Sequence, residues 1–240
     1  MTDTSLPIGQ PVPGWQPRPR PGRTPMTGRT CRLEPLTEAH LDDLWQANGE
    51  DREGRMWTYL GVGPFADKAA YRKWLLDAAA GEDPLFFAIV EAATGRAIGV
   101  ASYLRIDPAN GVIEVGHLAY SPALQGTLMA TEAMYLMMAR AFDELGYRRY
   151  EWKCNSLNAP SRRAAQRLGF SYEGVFRQHV VVKGRNRDTA WFSIIDGEWP
   201  AIRAAMETWM KPGNFDSTGR QKVRLSDLTR GLRAGDPGNG

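Results

Sequence analysis

The sequence predicts one mixed α/β domain, an open sheet with helices on both of its faces. Three observations carry that expectation. From residue 30 onward the spacing of apolar residues switches repeatedly between a period of two and one of about 3.6, the signatures of strand and helix. Three strand-like runs follow one another directly in the middle of the chain, which breaks regular βαβ alternation, and no GxGxxG follows the first strand. The chain has 240 residues, 42% hydrophobic and 10% aromatic, enough to bury one good-sized core.

TCRLEPL alternates as the first strand. Thr37 caps a helix through TEAHLDDLWQAN, an aromatic loop with WTYLGVGPF follows, and Asp67 opens a second helix that Gly81 closes. PLFFAIVEA, RAIGVASYLRID and VIEVGHLAY are successive strands, joined across Thr94-Gly95 and across DPANG. A long helix from about Thr127 to Leu145 places Ala130, Ala133, Met134, Met137, Ala141 and Phe142 on one face, and Gly146 stops it. RRYEWKC is the next strand, and a short helix runs from Pro160 to Leu168. SYEGVFRQHVVVKG and DTAWFSIID form a hairpin around GRNR, and EWPAIRAAMETWM is a last helix. Through the hairpin the order is β-α-α-β-β-β-α-β-α-β-β.

Charge and composition set the outer limits. Residues 1–30 carry four arginines against one aspartate, and residues 213–240 five basic side chains against three acidic. With the whole chain at +3, the centre is left at −2, so the domain shows none of the basic excess that nucleic-acid binding requires. The domain is expected over 29–212, between a Pro/Arg-rich arm at 1–28 that lies on its own domain and a flexible or partly ordered tail at 213–240. No apolar run of roughly 18 residues and no signal-peptide pattern is present, so a cytoplasmic chain without a membrane contact is expected. Cys31 and Cys154 read as two buried thiols, and three scattered histidines offer no metal site.

The stretch LQGTLMATEAM, residues 124–134, starts a helix directly after a strand and a short connection, where unpaired backbone N–H groups and the positive end of the helix dipole suit a phosphate. A second stretch, YEWKCNSLNAPSRRAAQRLGF, places Asn158 three residues before Ser161 at another helix start, with Arg162 and Arg163 following on its exposed side. Taken alone, Asn158 and Ser161 read equally well as simple caps.

Together these stretches resemble the GCN5-related N-acetyltransferase (GNAT) superfamily, in particular its ribosomal-protein N-terminal acetyltransferase-like branch. The resemblance covers roughly residues 29–211 and rests on four features: Gln125 to Ala130 against the pattern [QR]-x-x-G-x-[GA], Ala130-Thr131-Glu132-Ala133, the Asn158-x-x-Ser161 element before Gly169-Phe170, and Gly184 to Asp188 as G-x-x-x-D. It implies an N-acetyltransferase that moves an acetyl group from acetyl-CoA to a primary amine by direct transfer in a ternary complex. It implies a pyrophosphate held by Gln125, Gly126, Thr127, Leu128, Met129, Ala130 and Thr131. Pantetheine and the thioester end would lie along Leu118, Ala119 and Tyr120 and near Asn158, Ser161 and Arg162. Leu128 departs from the pattern, which has glycine there; a left-handed backbone would cost Leu about 1–2 kcal/mol, and a helical one nothing.

For the chemistry, Ser161 is the candidate to protonate the leaving thiolate, and Glu114, then His117, to take the proton from the amine. Strict alternation puts Glu114 and His117 on opposite faces, so a bulge must intervene if both serve one site. Trp57 and Tyr59 could stack on the substrate or pin their loop to the core, and His179 and Asp188 could bind substrate or brace the hairpin. The acceptor amine is left open between protein N-terminus and small molecule, as is a homodimer. The competing expectation is a non-catalytic CoA-binding sensor or scaffold whose phosphate loop has decayed at Leu128.

Overall fold

The computed structural model describes residues 6–234. Eight strands form one sheet: β1 (Met26–Thr27), β2 (Cys31–Pro35), β3 (Leu85–Glu91), β4 (Ala97–Asp107), β5 (Val112–Tyr120), β6 (Arg149–Asn155), β7 (Ser171–Val182) and β8 (Arg185–Ile195), in the spatial order β1-β2-β3-β4-β5-β6-β8-β7. All neighbours are antiparallel except β5 and β6, which are parallel and therefore need a crossover connection. The crossover is helix α3 (Leu128–Ala139). Helices α1 (Leu41–Asn48) and α2 (Lys68–Ala80) come before the sheet's centre; α4 (Ala159–Arg167), α5 (Trp199–Met210) and α6 (Leu225–Thr229) come after it. The mixed-sheet expectation and its element order hold, the expected last helix being α5, with β1 and α6 added around it.

The sheet divides two apolar clusters. In β3 every residue from Leu85 to Val90 is buried, because Phe86, Ala88 and Val90 face α1 and α2 while Phe87 and Ile89 face the side of α3 and α5. Tyr71, Leu75 and Ala78 sit at i, i+4 and i+7 of α2, and Asp67 caps it by accepting the Ala70 N–H at 2.8 Å. Trp199, Ile202, Met206 and Trp209 form the matching stripe of α5. Cys31 and Cys154 are buried free thiols.

Two local differences from the expectation have physical reasons. Helix α3 ends at Ala139 and continues to Glu144 as a wider π turn, in which the buried Arg140 reaches out to the Thr24 and Pro25 carbonyls at 2.6 and 2.8 Å. The final hairpin turns at Lys183-Gly184, not over GRNR, because both residues adopt positive φ (50° and 71°) and close a two-residue loop. Arg185, Asn186 and Arg187 are therefore strand, not loop. The segment after α5 is ordered through Ala234: Asn214 donates to Trp209 O and Val223 O, and Leu225 and Thr229 are fully buried.

Residues 15–25 of the Pro/Arg arm lie along the domain, with the Trp15 indole donating to Ala109 O and Tyr147 donating to Pro19 O. The outer ends of the arm and the tail, 1–5 and 235–240, fall outside the described residues. Among the described residues no helix is long and apolar enough to cross a membrane.

Candidate active site

The parallel pair β5/β6 holds register for only four residues, from Val112↔Arg149 to Val115↔Trp152, although both strands run on. The cause lies on the other edge of β5. There Ala119 faces Val100 and Gly116 faces Ser102, so His117 and Leu118 together oppose Ala101, and His117 takes a left-handed φ of 50°. This bulge turns β5 away from β6 and leaves its backbone groups beyond Val115 without a strand partner on that side.

A cavity of about 1750 Å³ opens in the splay and passes from the α3 side of the sheet to the α1/α2 side. Ten basic and three acidic side chains line it. The slightly negative centre of the chain conceals this, because charges of opposite sign are segregated in space. Arg163 and Arg167 of α4 contribute on the α3 side, and the tail adds Arg220, Arg230 and Arg233.

At the α3 end, Thr127 is the N-cap: its hydroxyl accepts the Ala130 N–H at 3.1 Å and donates to Leu124 O at 2.7 Å. The left-handed residue is Gly126 (φ 73°), and Leu128 is the first residue of the helix. The cost foreseen for Leu128 therefore does not arise, and with it goes the ground for a decayed loop. The N–H groups of Gly126, Leu128 and Met129 have no acceptor among the described residues, and Gly126 and Leu128 line the cavity beside Gln125, Thr127 and Thr131. Met129 itself does not line the cavity. Glu132 of the Ala-Thr-Glu-Ala run is not at the cavity either: it is buried beneath residues 28–31 and accepts the N–H groups of Arg29, Thr30 and Cys31 and the Thr30 hydroxyl.

Facing α3 across the splay, Asn158 caps α4 by accepting the Ser161 N–H at 3.2 Å. Ser161 Oγ accepts the Trp152 indole N–H at 3.0 Å, which leaves its own O–H to donate, toward Cys154 or into the cavity. Burial pushes the Cys154 thiol up and the Cys31 thiol up to about 12, so neither is a ready thiolate nucleophile. Arg162 lies outside the cavity, over the Tyr172 ring at 5.7 Å; its neighbour Arg163 lines it instead. Leu118 and Tyr120 line the cavity, whereas the Ala119 side chain is buried on the α1/α2 side.

On the α1/α2 side of the splay, Glu114 and His117 both reach the cavity, as the bulge allows. They differ in what surrounds them. Both oxygens of Glu114 lie 2.7 Å from Arg105 Nη1, and one lies 2.9 Å from the buried Lys153 ammonium. Burial raises the Glu114 pKa against the pull of Lys153 and Arg105. His117 has no hydrogen-bond partner for its ring among the described residues and packs against Phe86 at 5.3 Å. Burial foremost, then the charges of Arg105 and Arg187, holds its pKa below the usual 6.5, so the ring is neutral near pH 7.

Tyr59 borders this side and donates to Leu157 O at 3.3 Å. Trp57 does not: it is buried against Phe65 and pins its loop to the core, so its stacking role is withdrawn. His179 is also outside the cavity, with Nδ1 3.0 Å from Thr189 Oγ1, and Asp188 accepts the Gln178 N–H at 2.7 Å; both brace the hairpin. Sequence reading missed Arg105, Lys153, Arg187 and the tail arginines. Only the short turn at Lys183-Gly184 could have signalled Arg187, by extending the strand through it. Among the described residues no cluster of three or more potential metal ligands occurs.

Residues 31–171 match the acetyltransferase (GNAT) domain family. The crystal structure of a GCN5-related N-acetyltransferase from Brucella melitensis is 49% identical, covers 91% of this chain and 100% of that one, and superposes with a TM-score of 0.89. An uncharacterized N-acetyltransferase, p20, of Bacillus licheniformis is 28% identical over 59% of this chain and 80% of its own length. The microcin C7 self-immunity acetyltransferase MccE, solved with acetyl-CoA and AMP, shares the fold at 20% identity, with a TM-score of 0.62 over 70% of this chain and 93% of that one.

Proposed function

The chain belongs to the GNAT acetyltransferase family, and from that premise we propose that it moves an acetyl group from acetyl-CoA directly to a primary amine held on the opposite side of the splayed sheet. The observation that carries this reading is the basic cavity running through the β5/β6 splay, with a capped helix start at one end and a neutral histidine at the other.

In this reading the pyrophosphate lies on the N–H groups of Gly126 and Leu128, and the arginines of α4 and the tail hold the remaining phosphate charge. Pantetheine follows Leu118 to Tyr120, where β5 has no partner strand on its β6 edge. His117, not Glu114, takes the amine proton, because Glu114 already has both oxygens committed to Arg105 and Lys153. Backbone N–H groups of the splayed strand face the developing oxyanion, and Ser161 Oγ gives its proton to the leaving sulfur and recovers one, through solvent, from the acetylated nitrogen. Two thiols with raised pKa values favour direct attack over an acetyl-cysteine intermediate. The family resemblance offers protein N-termini among the acceptors.

The test is release of CoA from acetyl-CoA with peptides of different N-terminal residues, free amino acids and aminoacyl adenylate mimics. At least one amine should be acetylated; acetyl-CoA binding without turnover of any amine would leave a binding module. The loop assignment has its own check. Gly126→Val should weaken acetyl-CoA by up to about tenfold, because the roughly 1–2 kcal/mol that Val costs in the left-handed backbone lets the free loop relax away from the conformation that binds. Leu128→Gly should leave affinity unchanged and lower stability by about 1–2 kcal/mol, for the glycine backbone and for the lost contacts of the half-buried Leu128 side chain with the core. Calorimetric titration separates the two; equal affinity in Gly126→Val would misplace the pyrophosphate.

A further inference from the structure

We infer that the acceptor is an amine that also carries an anionic group, a carboxylate or a phosphate, and that Arg187 binds that group. The inference rests on the acetyltransferase reading of the site and narrows its substrate class. Arg187 lines the cavity on the side of Glu114 and His117. Its Nε is buried without an acceptor, and among the described residues no carboxylate pairs with its guanidinium.

The neighbouring charges are already matched. Arg105 and Lys153 share Glu114, Lys153 also holds Glu151 at 2.6 Å, and Arg149 spans Glu151 and Glu173. Asp51, the other carboxylate on this side, accepts the Met56 N–H at 2.8 Å. Arg55 pairs with Glu53 at 2.5 Å. Arg187 is thus the cation at this end of the cavity that makes no ion pair among the described residues, Glu114 being taken up by Arg105 and Lys153.

A partly desolvated guanidinium without an anion is unfavourable, and an incoming carboxylate or phosphate removes that penalty while gaining up to two parallel N–H···O bonds. The residue is also rigidly placed. It stands on β8 in register with Val180, just beyond the tight Lys183-Gly184 turn, and Lys183 ties that turn to the Trp57 carbonyl at 2.8 Å. It lines the same cavity as His117, so one small molecule can present its amine to His117 and its anion to Arg187.

The experiment uses the full chain saturated with acetyl-CoA and acceptors in matched pairs: amino acids against their carboxamides, and amines bearing a phosphate against the corresponding alcohols. In the wild type the anionic member should have a kcat/KM about thirtyfold higher, carried mainly by KM. In Arg187→Gln the preference should collapse to within about threefold, and Arg187→Lys should restore part of it. The pair that shows the effect identifies carboxylate or phosphate. Equal use of neutral and anionic members by the wild type, or an unchanged preference in Arg187→Gln, would overturn the inference. So would failure of every pair in a protein that binds acetyl-CoA. Calorimetry of acetyl-CoA in the same preparations reports on the donor site separately, so loss of the donor reading is distinguishable from loss of the acceptor class.

Discussion

His117→Asn is expected to lower kcat by about 10²–10⁴-fold while leaving acetyl-CoA affinity within about twofold, the range for removing a general base that does not hold the donor. Asparagine is the substitution of choice because position 117 has a left-handed backbone (φ 50°), which Asn tolerates as His does, so the bulge and the splay survive. The pH dependence follows from the direction of the shift. Phe86 and the surrounding burial, Arg105 from β4 and Arg187 from β8 hold the imidazole below the usual 6.5, with Glu114 neutralised by its own cations. The wild-type kcat/KM should therefore stay flat as pH falls from neutrality through 6.5 and drop only below it. Arg105→Gln should move that limb back toward 6.5. A fully active His117→Asn would return the proton transfer to Glu114 or to water.

Glu132→Ala is expected to destabilise the fold by about 3–4 kcal/mol, close to 10 °C in Tm for a chain of this size, without touching the chemistry. Its carboxylate, buried under the β1–β2 turn, is the acceptor for the N–H groups of Arg29, Thr30 and Cys31. Truncation strands these donors where water reaches them poorly. Gly28 shows how close the approach is, since a Cβ there would lie 2.7 Å from Glu132 Cδ. Despite desolvation, the Thr30 hydroxyl and the backbone donors hold the Glu132 pKa below its usual 4.5. The sign is then fixed: a depressed folded pKa gives stability that is complete above 4.5 and lost as pH falls through the folded value. Glu132→Gln should lose that acid-dependent part of the unfolding curve, and thermal melts from pH 7 to pH 3 would show it.

These two residues also mark what the sequence made legible. The element order was readable because each helix carries its own cap and stripe, as Asp67 and the Tyr71-Leu75-Ala78 face do for α2. The need for a bulge between Glu114 and His117 followed from strand alternation alone. What it could not supply was partnership across space. Glu114 looked like the stronger base until Arg105 and Lys153 were seen to occupy it, and Ala-Thr-Glu-Ala was readable only as a family motif, with no sign that its glutamate holds the β1–β2 turn. The tail arginines were invisible because local composition gave no sign that α6 folds back to the cavity. Leu128 looked like a defect because a pattern assigns glycine to a position, while the backbone places the left-handed residue two earlier, at Gly126.

The central claim is that the donor threads the β5/β6 splay with its pyrophosphate on the start of α3. Backbone hydrogen exchange with and without saturating acetyl-CoA tests it most directly. Protection is expected to rise at residues 115–120 and 124–131, with no comparable change at the arm over 15–25. Tight binding of acetyl-CoA that leaves exchange at 124–131 unchanged would contradict the account.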